Sequence, residues 1–341
     1  MTLTVDFGPN DIVKQIEKTG IKGQHLIFID DYSSTELENI FKTAEMLEPF
    51  WRNRIPLLEG KILCTQFFQP STRTRFSHET AMFRLGGNVI TESNPLVSSA
   101  AAKGESLYDS LRVTSQYADV IVLRHPDEGV IDTIEQLGSD ASPIISGGYG
   151  NVTHPTQGLL DMYTAYRALG GDFKEMTVMI ATPDLSRARS GQSFGLGLAR
   201  MGAKLIYSGT TGLEVPPVIR EKLKAMNANF TEVNDLTIGQ HEEMLADEAV
   251  DLLYLPGCSV KKGDPGRDDF LKKMAEFYFT LEGLQKIKQK SGKTVGLMHS
   301  LPRNEGEFDF AIDASEHELY FKQIGFSVPL RMSLLANICG V

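Results

Sequence analysis

Several things are scarce in this chain, and each scarcity excludes something. Its 341 residues hold three cysteines, Cys64, Cys258 and Cys339, too far apart in sequence to match a disulfide framework or a zinc-ligand spacing. They read as buried thiols in a reducing compartment. No apolar run approaches the 18 residues a membrane helix needs. The start, Met1-Thr2-Leu3-Thr4-Val5-Asp6, lacks the basic-then-apolar order of a signal peptide, so a cytoplasmic protein is expected. Positive charge is also short: 34 Lys and Arg against 44 Asp and Glu give a net charge of −10. Such a body is ill suited to nucleic acid or an anionic membrane, both of which need broad positive potential. There is no G-x-x-x-x-G-K-[ST]. Gly195-Leu196-Gly197 lacks the third glycine of a dinucleotide fingerprint and sits within a helical pattern, where close helix packing explains it better.

What is present is an ordinary soluble composition, 41% hydrophobic and 23% charged, with length enough for two domains. The chain alternates strands and helices. Strands are predicted near 60–68, 88–91, 120–123, 143–145, 177–181, 204–208, 251–255 and 294–298. Ser33 and Glu36 form a capping box ahead of a helical face of Leu37, Ile40, Phe41, Ala44 and Leu47. Further helices are expected over 106–117, near 130–137, from His154, from about Arg187, over 217–226 and 281–288, and finally around 330–338. Residues 1–25 read as an arm, 93–104 and 147–150 as loops. This rhythm predicts an α/β protein of two domains, each a doubly wound parallel sheet flanked by helices. The expected division is 1–155 with 328–341, and 156–327.

The chain is organised around Ser71-Thr72-Arg73-Thr74-Arg75, which follows a strand and opens a helix whose apparent apolar face is Phe76, Thr80 and Phe83. Hydroxyls and guanidiniums at a helix N-terminus make an anion site, because unpaired N–H groups and the positive dipole end face the ligand. A solvated basic turn with an N-cap Ser accounts equally well for this segment in isolation. Three more polar clusters also fall just past strands: Arg124-His125, His154-Pro155-Thr156-Gln157 and His299-Ser300-Leu301-Pro302-Arg303. In open parallel sheets ligands collect there. Four together favour a site.

These residues resemble the aspartate/ornithine carbamoyltransferase family. Ser71-Thr72-Arg73-Thr74-Arg75 is similar to its carbamoyl phosphate motif. His154-Pro155-Thr156-Gln157-Gly158-Leu159-Leu160-Asp161 and His299-Ser300-Leu301-Pro302-Arg303 are similar to its aspartate branch. The resemblance extends over roughly 24–341, and it implies a homotrimer or dimer of trimers, with no metal or organic cofactor. By resemblance, Ser71, Thr72, Arg73 and Thr74 cradle the phosphate. Thr74, Arg124 and His154 converge on the carbonyl oxygen. Gln157 and the Leu301 carbonyl hold the carbamoyl NH2, and Pro302 shapes that turn with a cis bond. Ser99 and Lys103 align with a loop that reaches the neighbouring subunit's site, and Arg75 is expected to pair with acidic residues.

For the acceptor, the resemblance places Arg189 on the α-carboxylate, with Arg187 competing, and brings Lys103, Leu301 and Pro302 to the same substrate. The family's second acceptor Arg and its Gln correspond to Gly257 and Ser259 here, and neither can supply a guanidinium fork. Lys261 or Lys262 could substitute. Tyr149 stands where the family usually carries Asp. The resemblance therefore implies carbamoyl transfer to L-aspartate, as in pyrimidine biosynthesis. A different small amino or amide acid, such as oxamate or a ureido precursor, comes second. A non-catalytic paralogue that only binds carbamoyl phosphate or phosphate comes third.

Overall fold

The computed structural model describes residues 8–98, 103–257, 267–304 and 306–341. The chain divides into two units, 1–156 with 325–341, and 157–324.

The first unit carries β1 (Ile62–Phe67), β2 (Asn88–Glu92), β3 (Val120–His125) and β4 (Ile144–Tyr149) in one sheet, with every pairing parallel. Its helices are α1 (Pro9–Thr19), α2 (Ser34–Leu47), α3 (Thr72–Arg84), α4 (Pro95–Ser98), α5 (Leu107–Thr114) and α6 (Val130–Leu137). The strand order β2-β1-β3-β4 reverses between β1 and β3. Loops that leave two adjacent strands toward opposite faces open a crevice there, which makes this the expected ligand position in a doubly wound sheet.

The chain enters the second unit within α7 (Pro155–Leu169) and leaves it within α13 (Tyr320–Cys339). That unit carries β5 (Thr177–Ala181), α8 (Arg189–Met201), β6 (Lys204–Gly209), α9 (Pro217–Ala225), β7 (Phe230–Asn234), α10 (Ile238–Asp247), β8 (Leu252–Leu255), α11 (Arg267–Met274), α12 (Leu281–Ser291) and β9 (Gly296–His299). Its strands are again all parallel, in the order β7-β6-β5-β8-β9. The reversal falls between β5 and β8.

The fold class is as the sequence predicts, and the Ser33–Glu36 capping box forms, with the Ser33 backbone N–H donating to Glu36 Oε2 at 2.7 Å. Several details differ. The expected N-terminal arm contains α1, which buries Ile12 and Ile16. The loop predicted at 93–104 includes α4, and β4 runs on through the expected loop to Tyr149. The last helix begins ten residues earlier than expected, with Pro329 inside it. Phe76 and Phe83, whose helical spacing signalled α3, are 51% and 57% exposed, whereas α3 buries Thr74, His78, Ala81 and Met82. Gly195 lies in α8, where a Cβ would overlap the Tyr207 hydroxyl, so close packing does explain that glycine.

A buried polar pair ties β6 to α10: Ser208 Oγ lies 2.7 Å from His241 Nε2. Burial pushes the His241 pKa down to about 4. On acidification the unfolded chain takes up this proton first, so stability is full above the ordinary histidine range and is lost as pH falls toward that value. Urea unfolding should therefore weaken from about pH 7 to about pH 4, by up to about 1.4 kcal/mol per pH unit for such a group. His241→Gln should flatten this slope; an unchanged slope would contradict the assignment.

Candidate active site

In the first unit, the loop that follows β1 at the reversal bears the organising motif, and Arg124 stands one residue before the end of the neighbouring strand β3. Ser71 occupies the N-cap position of α3 in extended backbone, but its hydroxyl makes no capping bond to the helix. The N-cap alternative for Ser71 is thus not realised. The first turn of any helix presents N–H groups without intrahelical partners, and here Thr72, Arg73 and Thr74 supply that turn. Burial lowers the pKa of the Arg73 guanidinium.

Two supports hold the motif. His78 is fully buried, and its Nδ1 lies 2.8 Å from the Thr74 carbonyl oxygen. Burial, with the Arg331 charge adding, pushes His78 down to about 3, so the neutral ring donates to that carbonyl. Glu79 is the second. It accepts from the Thr65 and Thr91 hydroxyls at 2.9 and 2.8 Å, and Arg75 Nε approaches it at 3.7 Å. The acidic partner expected for Arg75 is therefore Glu79. His78 escaped sequence reasoning, because a histidine at the seventh position of a helix has no local signature.

Arg124 is buried. Its Nη1 donates to the Gly147 carbonyl at 2.7 Å and lies 3.5 Å from His154 Nε2. Thr156 Oγ1 is 3.3 Å from His154 Nδ1 and 3.4 Å from the Ser146 carbonyl. The single Thr156 hydroxyl proton can go to only one of these acceptors; given to Nδ1 rather than to the carbonyl, it leaves the imidazole proton on Nε2 beside the guanidinium. Two donors about this far apart can share one oxygen, as in an oxyanion hole. Gly148 makes the approach possible: its φ is +111°, and a Cβ there would stand 3.0 Å from Arg124 Nη1 and 3.3 Å from His154 Cδ2. Thr74 is buried at the start of α3, beyond β1, the strand beside β3. Tyr149 takes no part: it is fully buried in the apolar cluster with Ile27, Cys64 and Ile121. Lys103 is exposed, and Ser99 lies outside the described residues.

In the second unit, the reversal between β5 and β8 likewise carries the acceptor candidates. Arg189 is the first residue of α8, half-buried, and burial lowers its pKa. Arg187 is exposed. Gln192 Nε2 braces the intervening loop by donating to the Leu185 and Ser186 carbonyls at 3.1 and 3.2 Å. Gln157 Nε2 donates to Asp161 Oδ1 at 2.8 Å, and Gln323 Nε2 donates to the same fully buried oxygen. Because a carboxylate only accepts, it fixes which end of the Gln157 amide faces it, turning the amide oxygen outward. Asp161 thus orients Gln157, a role its place in the motif did not reveal.

Leu301 has φ +52° and the Leu301–Pro302 bond is cis. The Leu301 N–H donates to His299 Nδ1 at 2.9 Å, which puts the imidazole proton on Nε2. Nε2 lies 3.3 Å from Glu307 Oε2, an ion-pair distance rather than a formed hydrogen bond. Arg303 turns away to pair with Asp313, its guanidinium 4.0 Å from the Phe310 ring centroid. Gly257 follows β8 with φ +68°. Ser259, Lys261 and Lys262 lie outside the described residues.

Residues 24–167 match the family model for the aspartate/ornithine carbamoyltransferase carbamoyl-P binding domain. A ureidoglycine carbamoyltransferase from Rubrobacter xylanophilus is 44% identical over 326 residues, 95% of this chain and 94% of that protein. The chain belongs to the aspartate/ornithine carbamoyltransferase family. An aspartate carbamoyltransferase catalytic subunit from Methanocaldococcus jannaschii is 39% identical, covering 92% of this chain and 97% of that one. Among solved structures, the M. jannaschii aspartate transcarbamoylase catalytic subunit superposes with a TM-score of 0.77 at 37% identity, over 93% of this chain and 99% of that one. Aspartate transcarbamoylase from Trypanosoma cruzi, in complex with N-(phosphonacetyl)-L-aspartic acid, gives 0.81 at 26% identity, over 94% and 98%.

For a carbamoyltransferase-family site, Arg124→Ala should lower turnover by on the order of 100-fold or more while costing little stability. Phosphate release and thermal unfolding measured together check this, and loss of fold with retained specific activity would assign Arg124 to structure instead. Asp161→Asn, which can turn an NH2 toward Gln157, should raise the KM for carbamoyl phosphate by about tenfold. An unaltered KM would remove Asp161 from the site's support.

Proposed function

We propose that this protein transfers the carbamoyl group from carbamoyl phosphate to the amino group of a small amino acid bearing one carboxylate and an uncharged ureido side chain, ureidoglycine being the acceptor of choice. The first unit takes the donor and the second the acceptor. The amine lone pair attacks the carbonyl carbon, and the C=O electrons move onto oxygen, where Thr74, Arg124 and His154 receive the charge. The tetrahedral adduct then collapses, the carbon–oxygen bond to phosphate breaks, and the departing phosphate takes the amine proton. Catalysis here is positioning and charge stabilisation, with no covalent nucleophile required. Ser71, Thr72, Arg73 and Thr74, with Lys103 and Ser99 from a neighbouring subunit, hold the phosphate. Gln157 and the Leu301 carbonyl hold the carbamoyl NH2, Arg189 binds the acceptor carboxylate, and Pro302 lines the acceptor turn. The second product chain is an acetate carrying two ureido groups.

The observation that carries the acceptor assignment is Gly257. Where the family resemblance calls for a second acceptor Arg, this chain has no side chain, and the backbone there is left-handed. An acceptor with one carboxylate needs only Arg189. The 44% identical relative, whose name is ureidoglycine carbamoyltransferase, supports the same reading. L-Aspartate is the second reading, favoured by the HPTQ-x-LLD and H-x-LPR motifs and by the aspartate carbamoyltransferase relative at 39% identity.

A cytoplasmic homotrimer is the form we infer. Phe76, Phe83, Ile90, Leu96 and Val97 are large apolar side chains left exposed on α3, β2 and α4, which suits a subunit interface. Phosphate release from carbamoyl phosphate across ureidoglycine, oxamate and aspartate tests the acceptor. Ureidoglycine should exceed aspartate in kcat/KM by about 100-fold; preference for aspartate would overturn the assignment, and carbamoyl phosphate binding without any turnover would make the protein a receptor. Light scattering should give three times the 37.7 kDa chain mass.

A further inference from the structure

Where the family's second acceptor Arg would stand, a pocket opens whose described lining lies wholly within the second unit. It lies past the carboxyl ends of β5, β8 and β9, and its lining includes Thr182, Pro183, Leu255, Gly257, His299 and Glu307. Gly257 is built into this place. A Cβ would stand 3.1 Å from both His299 Cε1 and Nε2 and 3.3 Å from Ser300 Oγ, in a backbone region that side chains rarely adopt. Ser300 is itself fixed, its hydroxyl donating to the Pro256 carbonyl at 2.7 Å. No side chain can extend from position 257 without displacing the imidazole. What the missing side chain leaves facing the pocket is the His299–Glu307 pair.

That pair is anchored from behind. His299 is 1% exposed and holds its proton on Nε2, toward Glu307. Glu307 is 4% exposed, and its carboxylate takes the Asn304 backbone N–H at 2.5 Å on Oε2 and Asn304 Nδ2 at 3.3 Å on Oε1. Burial pushes the Glu307 carboxyl up, but the His299 ring and the Asn304 donors outweigh it and leave it below the usual range. Among the described lining residues it is the one carboxylate, and none is Lys or Arg. Among the described residues the lining carries this one negative charge, and its other walls are mostly apolar, Ala181, Pro183, Leu255, Met274 and Phe277 with Thr182, a setting that disfavours a second carboxylate. The same carboxylate suits N–H donors, since each of its oxygens accepts more than one hydrogen bond.

We propose that the His299–Glu307 pair, bared by Gly257, determines acceptor specificity: Glu307 accepts N–H groups of an uncharged ureido or amide side chain and turns away aspartate. This rests on the ureido-acceptor reading above and names the residue that enforces it. Glu307 acts on selection rather than on the reacting atoms, so its removal changes the acceptor's KM more than kcat.

The test compares wild type with Glu307→Gln in kcat/KM for ureidoglycine and for aspartate, with thermal unfolding as the check on fold. The ureidoglycine-over-aspartate ratio should shrink by about tenfold or more in the variant, through a raised KM for ureidoglycine and a lowered KM for aspartate. A folded variant with the wild-type ratio overturns the role of Glu307 and leaves the ureido reading standing. Wild type that prefers aspartate overturns both. Should Glu307→Gln fail to fold, the isosteres asparagine and aspartate serve as competing ligands of the wild type. Asparagine should compete about tenfold more strongly; equal, reversed or absent competition by both overturns the proposal.

Discussion

The structure depends on one placement: a guanidinium taken out of water at the end of β3 and pinned there by a backbone carbonyl. Arg124 is buried, and its Nη1 is tied to the Gly147 carbonyl at 2.7 Å. A cation taken out of water interacts more strongly with charge placed beside it than it would in solvent. Negative charge that develops beside it is correspondingly welcome. His154 stands at 3.5 Å from the same nitrogen, with the Thr156 hydroxyl 3.3 Å from its other ring nitrogen. The glycine at 148 exists because these two side chains occupy the space a Cβ would need. A donor pair fixed before the reaction need not reorganise during it, which is the physical basis of oxyanion stabilisation.

The same architectural device appears twice. Each unit is a parallel sheet whose order reverses once, and each reversal places a cationic residue at or beside a helix start. In the first unit the loop after β1 leads into Ser71 and the first turn of α3, Thr72 to Thr74, and Arg124 stands just before the end of β3. In the second, the loops after β5 and β8 carry Arg189 and Gly257. The strand ends are rigid because their residues are buried and hydrogen-bonded on both sides, so the loops inherit defined positions. Chemistry then differs only by which side chains stand on those loops. A guanidinium fork is suited to an acceptor with two carboxylates. A glycine that exposes a carboxylate–imidazole pair is suited to a neutral side chain.

Much of this was legible in the sequence, for reasons that can be named. Buried parallel strands are short apolar runs, so β1, β3, β5, β6 and β8 stood out, and the clusters at or just past strand ends marked the candidate site. The edge strand β7, Phe230–Asn234, was missed because it is only half-buried and carries Thr, Glu and Asn. Helix α1 was missed for want of a strong run of apolar residues beside its charges. The inward face of α3 was not legible, because Phe76 and Phe83 keep helical spacing yet point to the surface, and spacing alone does not say which stripe is inward. Tyr149 could not be interpreted from its neighbours, since its burial comes from residues as far away as Ile27 and Cys64. The partners that fix the site were least visible: His78 under Thr74, Asp161 behind Gln157, and Glu307 against His299 act through contacts that no local pattern encodes.

Arg124 and His154 must draw charge onto the carbonyl oxygen of bound carbamoyl phosphate for the proposed transfer to work. Isotope-edited infrared difference spectroscopy of carbonyl-labelled carbamoyl phosphate bound to the protein reads that polarisation directly. The carbonyl stretch should fall below its frequency in water, and the shift should vanish in Arg124→Ala. A band at the same frequency as the free compound in water, or a shift that survives the loss of Arg124, would contradict it.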